Sequence, residues 1–451
     1  MSELTPHSLL AVLERYQKAD KYYVALSGGL DSSVLLHALA LLRDKLSPSS
    51  IHALHVDHGL HVDSSSWAKH CTELCQHYEI DLHILKADIS LQQGDSIEEA
   101  ARQARYKLLA GFISENDVLL TAQHQNDQAE TFLLQALRGA GPKGLASMPE
   151  SKPFSTGRHI RPLLAHSRNQ LAVYASRNKL NWIEDPSNQN LDLRRNVLRQ
   201  KILPQLEKSW PGLSATISRS AKHCAEANAL LDDLAKLDLQ NVRSSKETLS
   251  RSKVNSLDLN RRANVIRYWL IAKQLSLPNE RRINTLIEQL QHSAEDKQLC
   301  ISWAGGEIRT YRDHIFAFKS LPGFIENQRC SWHLSKTLSL DGGQLSATKS
   351  LVTDGVFLPE HVDEVEIRFR QGGERCRPVG QDCTRELKTL FQEWAVPPWV
   401  RNRIPLLYVE DQIAAVVGFC NCLPFDVRNE ERAWQIHWFS PSISPFISRA
   451  N

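Results

Sequence analysis

Residues Tyr22-Tyr23-Val24-Ala25-Leu26-Ser27-Gly28-Gly29-Leu30-Asp31-Ser32-Ser33 decide the fold. The first five form a short apolar run, and a helical pattern follows from Ser32 to Leu46. A strand that turns into a helix through Ser-Gly-Gly starts a β–α unit, and such folds bind ligands outside the carboxyl ends of their strands. Paired glycines let backbone N–H groups come close to an anion. The helix start adds N–H donors and the positive end of a dipole. Ser27, Gly28, Gly29, Leu30, Asp31, Ser32 and Ser33 therefore read as a phosphate cradle, with the serine hydroxyls as further donors. The segment has neither the Walker lysine nor the Gly-x-Gly-x-x-Gly of dinucleotide folds, so nothing in it marks a γ-phosphate for transfer. Asp31 would repel phosphates unless a divalent cation stood between them, which implies Mg²⁺ held at Asp31.

Outward from the loop, residues 51–56, 80–85 and 117–121 read as strands. Helical stretches separate them, one running through Trp67 and Leu74, and one opened by a capping box of Ser96 and Glu99 and ending near Phe112. A last helix holds Ala129 to Leu137. Strands alternating with helices predict an α/β, doubly wound parallel sheet covered on both faces. This first domain is expected over residues 1–205. A mainly helical, substrate-binding domain is expected over 206–320, with a hairpin around Gly305-Gly306. Residues 321–364 read as a linker, and residues 365–440 as a small α/β C-terminal domain.

Lys+Arg 54 against Asp+Glu 51 gives a net charge of only +3, so any polyanion must meet a local cluster. Residues 158–201 supply one: nine Lys/Arg against three acids, locally +6. The nine cysteines form no Cys-x-x-Cys pair, which suits reduced thiols in the cytoplasm. Cys71 and Cys75, four apart, would share the buried face of a helix. The start of the chain shows no basic region followed by an apolar one, so no secretory signal is expected. No apolar run approaches the ~18 residues of a membrane span.

The loop resembles the pyrophosphate (PP) loop of the N-type ATP pyrophosphatases, which implies ATP cut between its α and β phosphates and AMP transferred to a substrate oxygen. Further motifs narrow the family. His55, Asp57 and His58 end the second strand; strand alternation points His55 and Asp57 one way and His58 the other, which favours a face toward adenosine over a zinc site. Glu99-Ala100-Ala101-Arg102 with Arg105-Tyr106 puts Arg102 and Arg105 on one helical face. Asp127 and Glu130 are helical neighbours after the fourth strand, suited to hold Mg²⁺ or accept a proton. Together with Arg138 to Leu145, Arg161 to Leu164, Glu184 to Asn188, and Arg194 to Arg199, these motifs resemble the tRNA(Ile)-lysidine synthetase family, and the resemblance resumes from Arg368 to Leu407. The sequence departs from that family at Gln123 and Asn126, where histidine and aspartate are frequent.

The resemblance implies an enzyme that ligates free L-lysine to carbon 2 of the wobble cytidine of an isoleucine tRNA with a CAU anticodon, through an adenylated cytidine. It implies ATP and Mg²⁺, with Asp31 and Asp127 as metal ligands and Asp31, His124, Asp127 and Glu130 as catalytic residues. The lysine ε-amine has a pKa near 10.4, so a base must take its proton: Asp127 or Glu130, with His124 as a second candidate. Substrate RNA is expected on Arg102, Arg105, Arg194, Arg195 and Arg199, and on Arg368, Arg370, Arg375, Arg377, Lys388 and Arg401 of the last domain. Two alternatives share the loop: a tRNA-thiolating enzyme, which would usually need a cysteine pair or iron–sulfur cluster, and a non-catalytic ATP-responsive tRNA-binding protein.

Overall fold

The computed structural model describes residues 3–59, 63–88, 97–292, 298–325, 327–353, 355–428, 432–440, 443 and 446. The chain divides into two compact units, Met1–Leu231 and Asp232–Asn451. The boundary falls inside the helix Leu213–Val242.

The first unit is built on a six-stranded sheet of β1 (Lys21–Ala25), β2 (Ser50–Asp57), β3 (Asp81–Lys86), β4 (Val118–Leu120), β5 (Ser151–Phe154) and β6 (Gly157–Ile160), in the order β3-β2-β1-β4-β6-β5. Neighbours are parallel except β5 and β6, which form an antiparallel hairpin. Strand β1 lies between β2 and β4, so the order reverses at its end, and the loop that follows it sits at the switch point where such sheets bind ligands.

Successive strand residues feed two different cores. Tyr22, Val24, Ala53, Val118 and Leu120 pack with the helices Pro6–Leu13, Leu30–Ala40, Ser64–His77 and Arg168–Arg177. Tyr23, Leu54 and Leu119 pack with Leu109 and Ile113 on the opposite face. Both faces are covered, which is why β4 reads as an unbroken apolar run. Cys71 and Cys75 lie buried on one side of their helix, as their spacing predicts.

The helix expected from Ser32 to Leu46 is two helices, Leu30–Ala40 and Arg43–Leu46. Ser96, half of the expected capping box, lies outside the described residues, as does Leu60; the helix itself is described from Ile97 to Ala110. The β5–β6 hairpin escaped the sequence reading because its strands are four residues each and carry Lys, Arg and Pro.

In the second unit, Leu259–Ala272 and Glu280–His292 pack on a four-stranded sheet of Thr248–Ser250, His314–Phe318, Gly306–Tyr311 and Cys300–Trp303 around Trp269. The expected hairpin is present and is extended by two further strands. Residues 321–364 correct the expectation of a linker. Cys330–His333 pairs with Glu364–Arg368, and Gly343–Leu351 pairs along its length with Arg432–Phe439. These strands bury Trp332, Leu345 and Leu358 with Trp434 and Ile436. Their outer faces carry Ser, Thr and Lys, which gave them the composition of a loop. Among the described residues, no helix is long and apolar enough to cross a membrane.

Gly157 opens β6, and a Cβ there would meet the backbone oxygens of Asp117 at 2.4 Å and Ser114 at 2.7 Å. Neither can yield without opening the β4–β6 pairing. Gly157→Ala is expected to cost about 2–3 kcal/mol in a urea melt. The control Gly141→Ala, whose Cβ would meet nothing within 4 Å, should stay close to wild type.

Candidate functional site

The loop after β1 is held from below and from both sides. The backbone N–H of Leu26 donates to Leu54 O at 2.9 Å, and that of Ile183 donates to Gly28 O at 2.9 Å. Gly28 has φ +81°, and a Cβ there would sit 3.1 Å from both Cys71 Sγ and Ile183 Cδ1. Glycine is thus required twice over, by backbone conformation and by space. Gly29 is the extended N-cap of Leu30–Ala40 and has no side chain to close the helix start. The Ser27 and Ser32 hydroxyls lie 3.0 Å apart, and Ser32 Oγ also donates to Gly29 O at 3.0 Å. Ser33 Oγ reaches Gly28 O at 3.4 Å. The result is a preformed turn at a helix N-terminus, with serine hydroxyls bracing it.

Asp31 stands on the first turn of that helix. Its Oδ2 lies 3.5 Å from His124 Nε2, while its buried Oδ1 has no hydrogen-bond partner among the described residues. An unsatisfied carboxylate oxygen beside a phosphate cradle is what a divalent cation would complete. His124 is 1% exposed and caps the helix Gln125–Ala136, its Nδ1 3.3 Å from Asp127 N and 3.5 Å from Asp127 Oδ2. Burial opposes its charged form, but Asp31 and Asp127 outweigh that and raise its pKa.

Asp127 and Glu130 face two arginines. Glu130, 1% exposed, accepts from Arg195 Nε at 2.7 Å and from Arg199 Nε at 2.6 Å. Asp127 Oδ1 accepts from Arg199 Nη2 at 2.8 Å and Arg195 Nη2 at 3.3 Å, and its Oδ2 accepts the His124 N–H at 3.0 Å. Burial would raise the Asp127 pKa, yet His124, Arg195 and Arg199 together hold it below the usual carboxylate range. Asp127, expected as a metal ligand, and Asp127 and Glu130, expected as candidate bases, thus stand paired with Arg195 and Arg199. Their oxygens accept from guanidinium groups in this arrangement. Arg194, next in sequence, is exposed.

The tip of β2 divides its residues. His55 is buried, with Nδ1 2.9 Å from Leu26 O, and so braces the loop rather than facing an open site. Asp57 accepts the Gly59 N–H at 2.9 Å. His58 is half-buried; burial first, then Arg105, lower its pKa.

Arg102 and Arg105, paired by sequence reasoning on one helical face, are joined in the fold by two cations it did not bring to them. Arg102 and Arg105 stand over the Tyr106 ring at 5.2 and 5.4 Å, and Lys152 at 6.0 Å. Arg161 is 3% exposed and bonds Pro149 O and His159 Nδ1. Burial raises the Tyr106 pKa, but Arg105, Arg102, Arg161 and Lys152 overcome it and lower it. Burial and the same four cations push His159 down to about 2, so it stays neutral. Lys152 belongs to the overlooked β5, which is why no local signal joined it to Arg102.

In the second unit, Arg375, Arg377 and Lys388 are exposed. Arg368 is ion-paired with Glu366 and Asp411, and Arg370 bonds Asn402 Oδ1 at 3.1 Å. Arg401 corrects its expectation as an RNA contact: it is 9% exposed and donates to Val396 O at 2.9 Å and Tyr311 Oη at 3.0 Å. It is a structural strut.

A parallel sheet with a lysine-free phosphate turn at its switch point defines the PP-loop class of ATP-using proteins, and a PP-loop domain family matches residues 2–206. A TilS substrate-binding domain matches residues 249–316, and a TilS substrate C-terminal domain matches 365–438. A tRNA(Ile)-lysidine synthase of Coxiella burnetii is 41% identical over 436 residues, 96% of each chain. That of Escherichia coli O157:H7 is 40% identical over 398 residues, 88% of this chain and 91% of the other. That of Legionella pneumophila (strain Paris) is 38% identical over 426 residues, 94% and 96%. The chain belongs to the tRNA(Ile)-lysidine synthase family.

Two predictions follow from the geometry. Glu130 and Arg199 share two contacts, so a double-mutant cycle of Glu130→Gln and Arg199→Gln should give a coupling of about 2 kcal/mol in urea melts; additive losses would contradict the pairing. His124 has a raised folded pKa, so its ion pairs contribute in full below about pH 6.5 and fade as pH rises through the folded value. The stability gap between wild type and His124→Gln should therefore narrow as pH rises above about 6.5 and through the folded value; a constant gap would contradict the assignment.

Proposed function

We propose that the chain ligates free L-lysine to carbon 2 of the wobble cytidine in an isoleucine tRNA with a CAU anticodon, consuming ATP to AMP and pyrophosphate. Similarity to synthases over nearly the whole chain, joined to the lysine-free loop, carries this reading. The base oxygen on carbon 2 attacks the α-phosphate and pyrophosphate leaves. The lysine ε-amine then attacks carbon 2, and AMP leaves.

Each step has residues to serve it. Ser27, Gly28, Gly29, Leu30, Ser32 and Ser33 form the pyrophosphate cradle, where backbone N–H groups and the helix dipole favour the leaving charge. Asp31 would hold Mg²⁺ through its unpartnered oxygen. When bound, Mg²⁺ offsets negative charge on the phosphates. Asp57 and His58 border the nucleoside side of the loop, and His55 fixes its depth. Asp127 and Glu130 are positioning residues that hold Arg195 and Arg199. Those two, with Arg194, Arg102 and Arg105, face the wobble nucleotide and its phosphates. His124, 3.5 Å from Asp31 Oδ2, is a positioning residue that holds that carboxylate beside the loop.

Residues 1–205 thus carry the chemistry, residues 206–320 support substrate binding, and Arg375, Arg377 and Lys388 within 365–440 grip tRNA away from the reacting base. The free cysteines support a cytoplasmic setting.

The test supplies ATP, Mg²⁺, labelled lysine and unmodified isoleucine tRNA transcript. Label should enter RNA only with ATP and only when the wobble base is cytidine. Asp31→Ala should lower kcat by about a hundredfold or more. Label independent of ATP, or none from folded protein, would overturn the proposal.

A further inference from the structure

Three thiols that the chemistry above does not use gather at one edge of the second unit. Cys420 and Asn421 form an edge strand that pairs with Val416 and Ala415, and Cys422 continues it with its N–H on Ala414 O at 2.8 Å. Side chains two apart on an extended strand share a face. Cys420 Sγ and Cys422 Sγ accordingly stand 4.0 Å apart. The segment from Arg375 to Val379 runs antiparallel alongside: Leu423 N–H donates to Arg377 O at 2.8 Å, and Val379 N–H to Asn421 O at 2.9 Å. Cys376 thereby joins Cys422 in one core cluster with Leu387, Phe391 and Val416, and the two thiols are hydrogen-bonded.

The three differ in access. Cys422 is 0% and Cys376 5% exposed, whereas Cys420 is half-buried. Cys420 is therefore the thiol that a reagent in solvent meets, and Cys422 is placed to resolve what forms there. The hydrogen bond from Cys422 holds the Cys376 thiol below the usual range, while its bonds to Cys376 and Cys420 raise Cys422. Cys376 is thus the group that takes the Cys422 proton when Cys422 attacks. Among the described residues, no group of three or more His, Cys, Asp or Glu side chains is arranged to hold a metal ion. The chemistry open to these sulfurs is with one another.

The cluster also lies beneath cations assigned to tRNA. Arg375 and Arg377 flank Cys376 and are exposed. The Arg377 carbonyl is tied to Leu423, and its Nε holds Gln381 O at 3.0 Å. A disulfide needs its sulfurs about 2 Å apart, roughly half the present separation. Closing it draws on Cys420 and Cys422 and, through Leu423, on the segment that carries both arginines.

We propose that Cys420 and Cys422 form a reversible thiol–disulfide site whose oxidation loosens the grip of Arg375 and Arg377 on tRNA. The inference rests on the tRNA reading above. The oxidant is a small disulfide of the glutathione class. Cys420 attacks it, forming a mixed disulfide, and one small thiol leaves. Cys422 then attacks Cys420 Sγ, and the second small thiol leaves. Two protein thiols give up two electrons and two protons, and one small disulfide becomes two thiols. Excess thiol runs the exchange backwards, so the site is reduced in an ordinary cytoplasm and responds when that poise shifts.

The test uses the full chain carrying Cys300→Ser and Cys383→Ser, which removes the two exposed thiols. This parent is treated with glutathione disulfide, its peptides are mapped by mass after free thiols are blocked, and its binding to isoleucine tRNA transcript is followed over a salt series. The oxidised parent should carry a bond between Cys420 and Cys422 and bind the transcript more weakly. Its salt slope should shrink by about one for each arginine displaced, and dithiothreitol should restore both. Adding Cys420→Ser should give the affinity of the reduced parent before and after treatment, with an unchanged melting temperature. Adding Cys422→Ala should instead trap one glutathione on Cys420. Free Cys420 and Cys422 after treatment, a disulfide that leaves binding unchanged, or a weakening that persists with Cys420→Ser would overturn the proposal. Failure of the reduced parent to bind the transcript would overturn the tRNA reading instead.

Discussion

Two carboxylates on one helix, Asp127 and Glu130, hold two arginines that lie 65 to 72 residues further along the chain. Neither partner could be buried alone. An isolated carboxylate in that position would cost several kcal/mol and protonate instead. Pairing in this form brings three consequences at once. It ties the segment after residue 193 to the helix Gln125–Ala136, and it presents Arg195 and Arg199 at fixed positions. It also continues, through His124, to Asp31 on the phosphate turn. The turn after β1 and the two arginines are therefore members of one chain of ionic contacts.

That arrangement also explains why the contacts of these residues differ from what their spacing implied. Asp127 and Glu130 three apart on a helix look like a metal pair, and nothing within several residues contradicts it. The arginines that claim them are remote in sequence, so only the fold reveals the competition for their oxygens. His124 is in the sequence a second candidate for the base; in the fold Asp31 and Asp127 raise its pKa against the opposing effect of burial. The turn itself was legible down to its residues, because its requirements are local: an apolar strand, two glycines, one of them at φ +81°, and a helix start.

The same division of local from non-local signals runs through the fold. Long strands buried on both faces, such as β2, announce themselves as apolar runs. Leu338–Leu340 and Cys330–His333 do not, because strands this short with polar outer faces offer too few periods to read. Gly343–Leu351 is long enough, but it is half exposed and finds its partner more than eighty residues later, in Arg432–Phe439. Lys152 was missed for a similar reason: the hairpin that brings it to Arg102 is short, and its pairing with β4 is not encoded nearby. In the second unit, charge counts alone misled, since Arg401 is a buried strut while Arg375 and Lys388 remain exposed.

The central claim is that the lysine-free turn serves pyrophosphate as a leaving group. It is tested most directly by following ATP labelled at its γ-phosphate, incubated with the protein and isoleucine tRNA transcript, with the label separated as pyrophosphate or orthophosphate. The account predicts pyrophosphate, released only when the RNA carries its wobble cytidine. Label appearing as orthophosphate would mean cleavage between the β and γ phosphates and would contradict it.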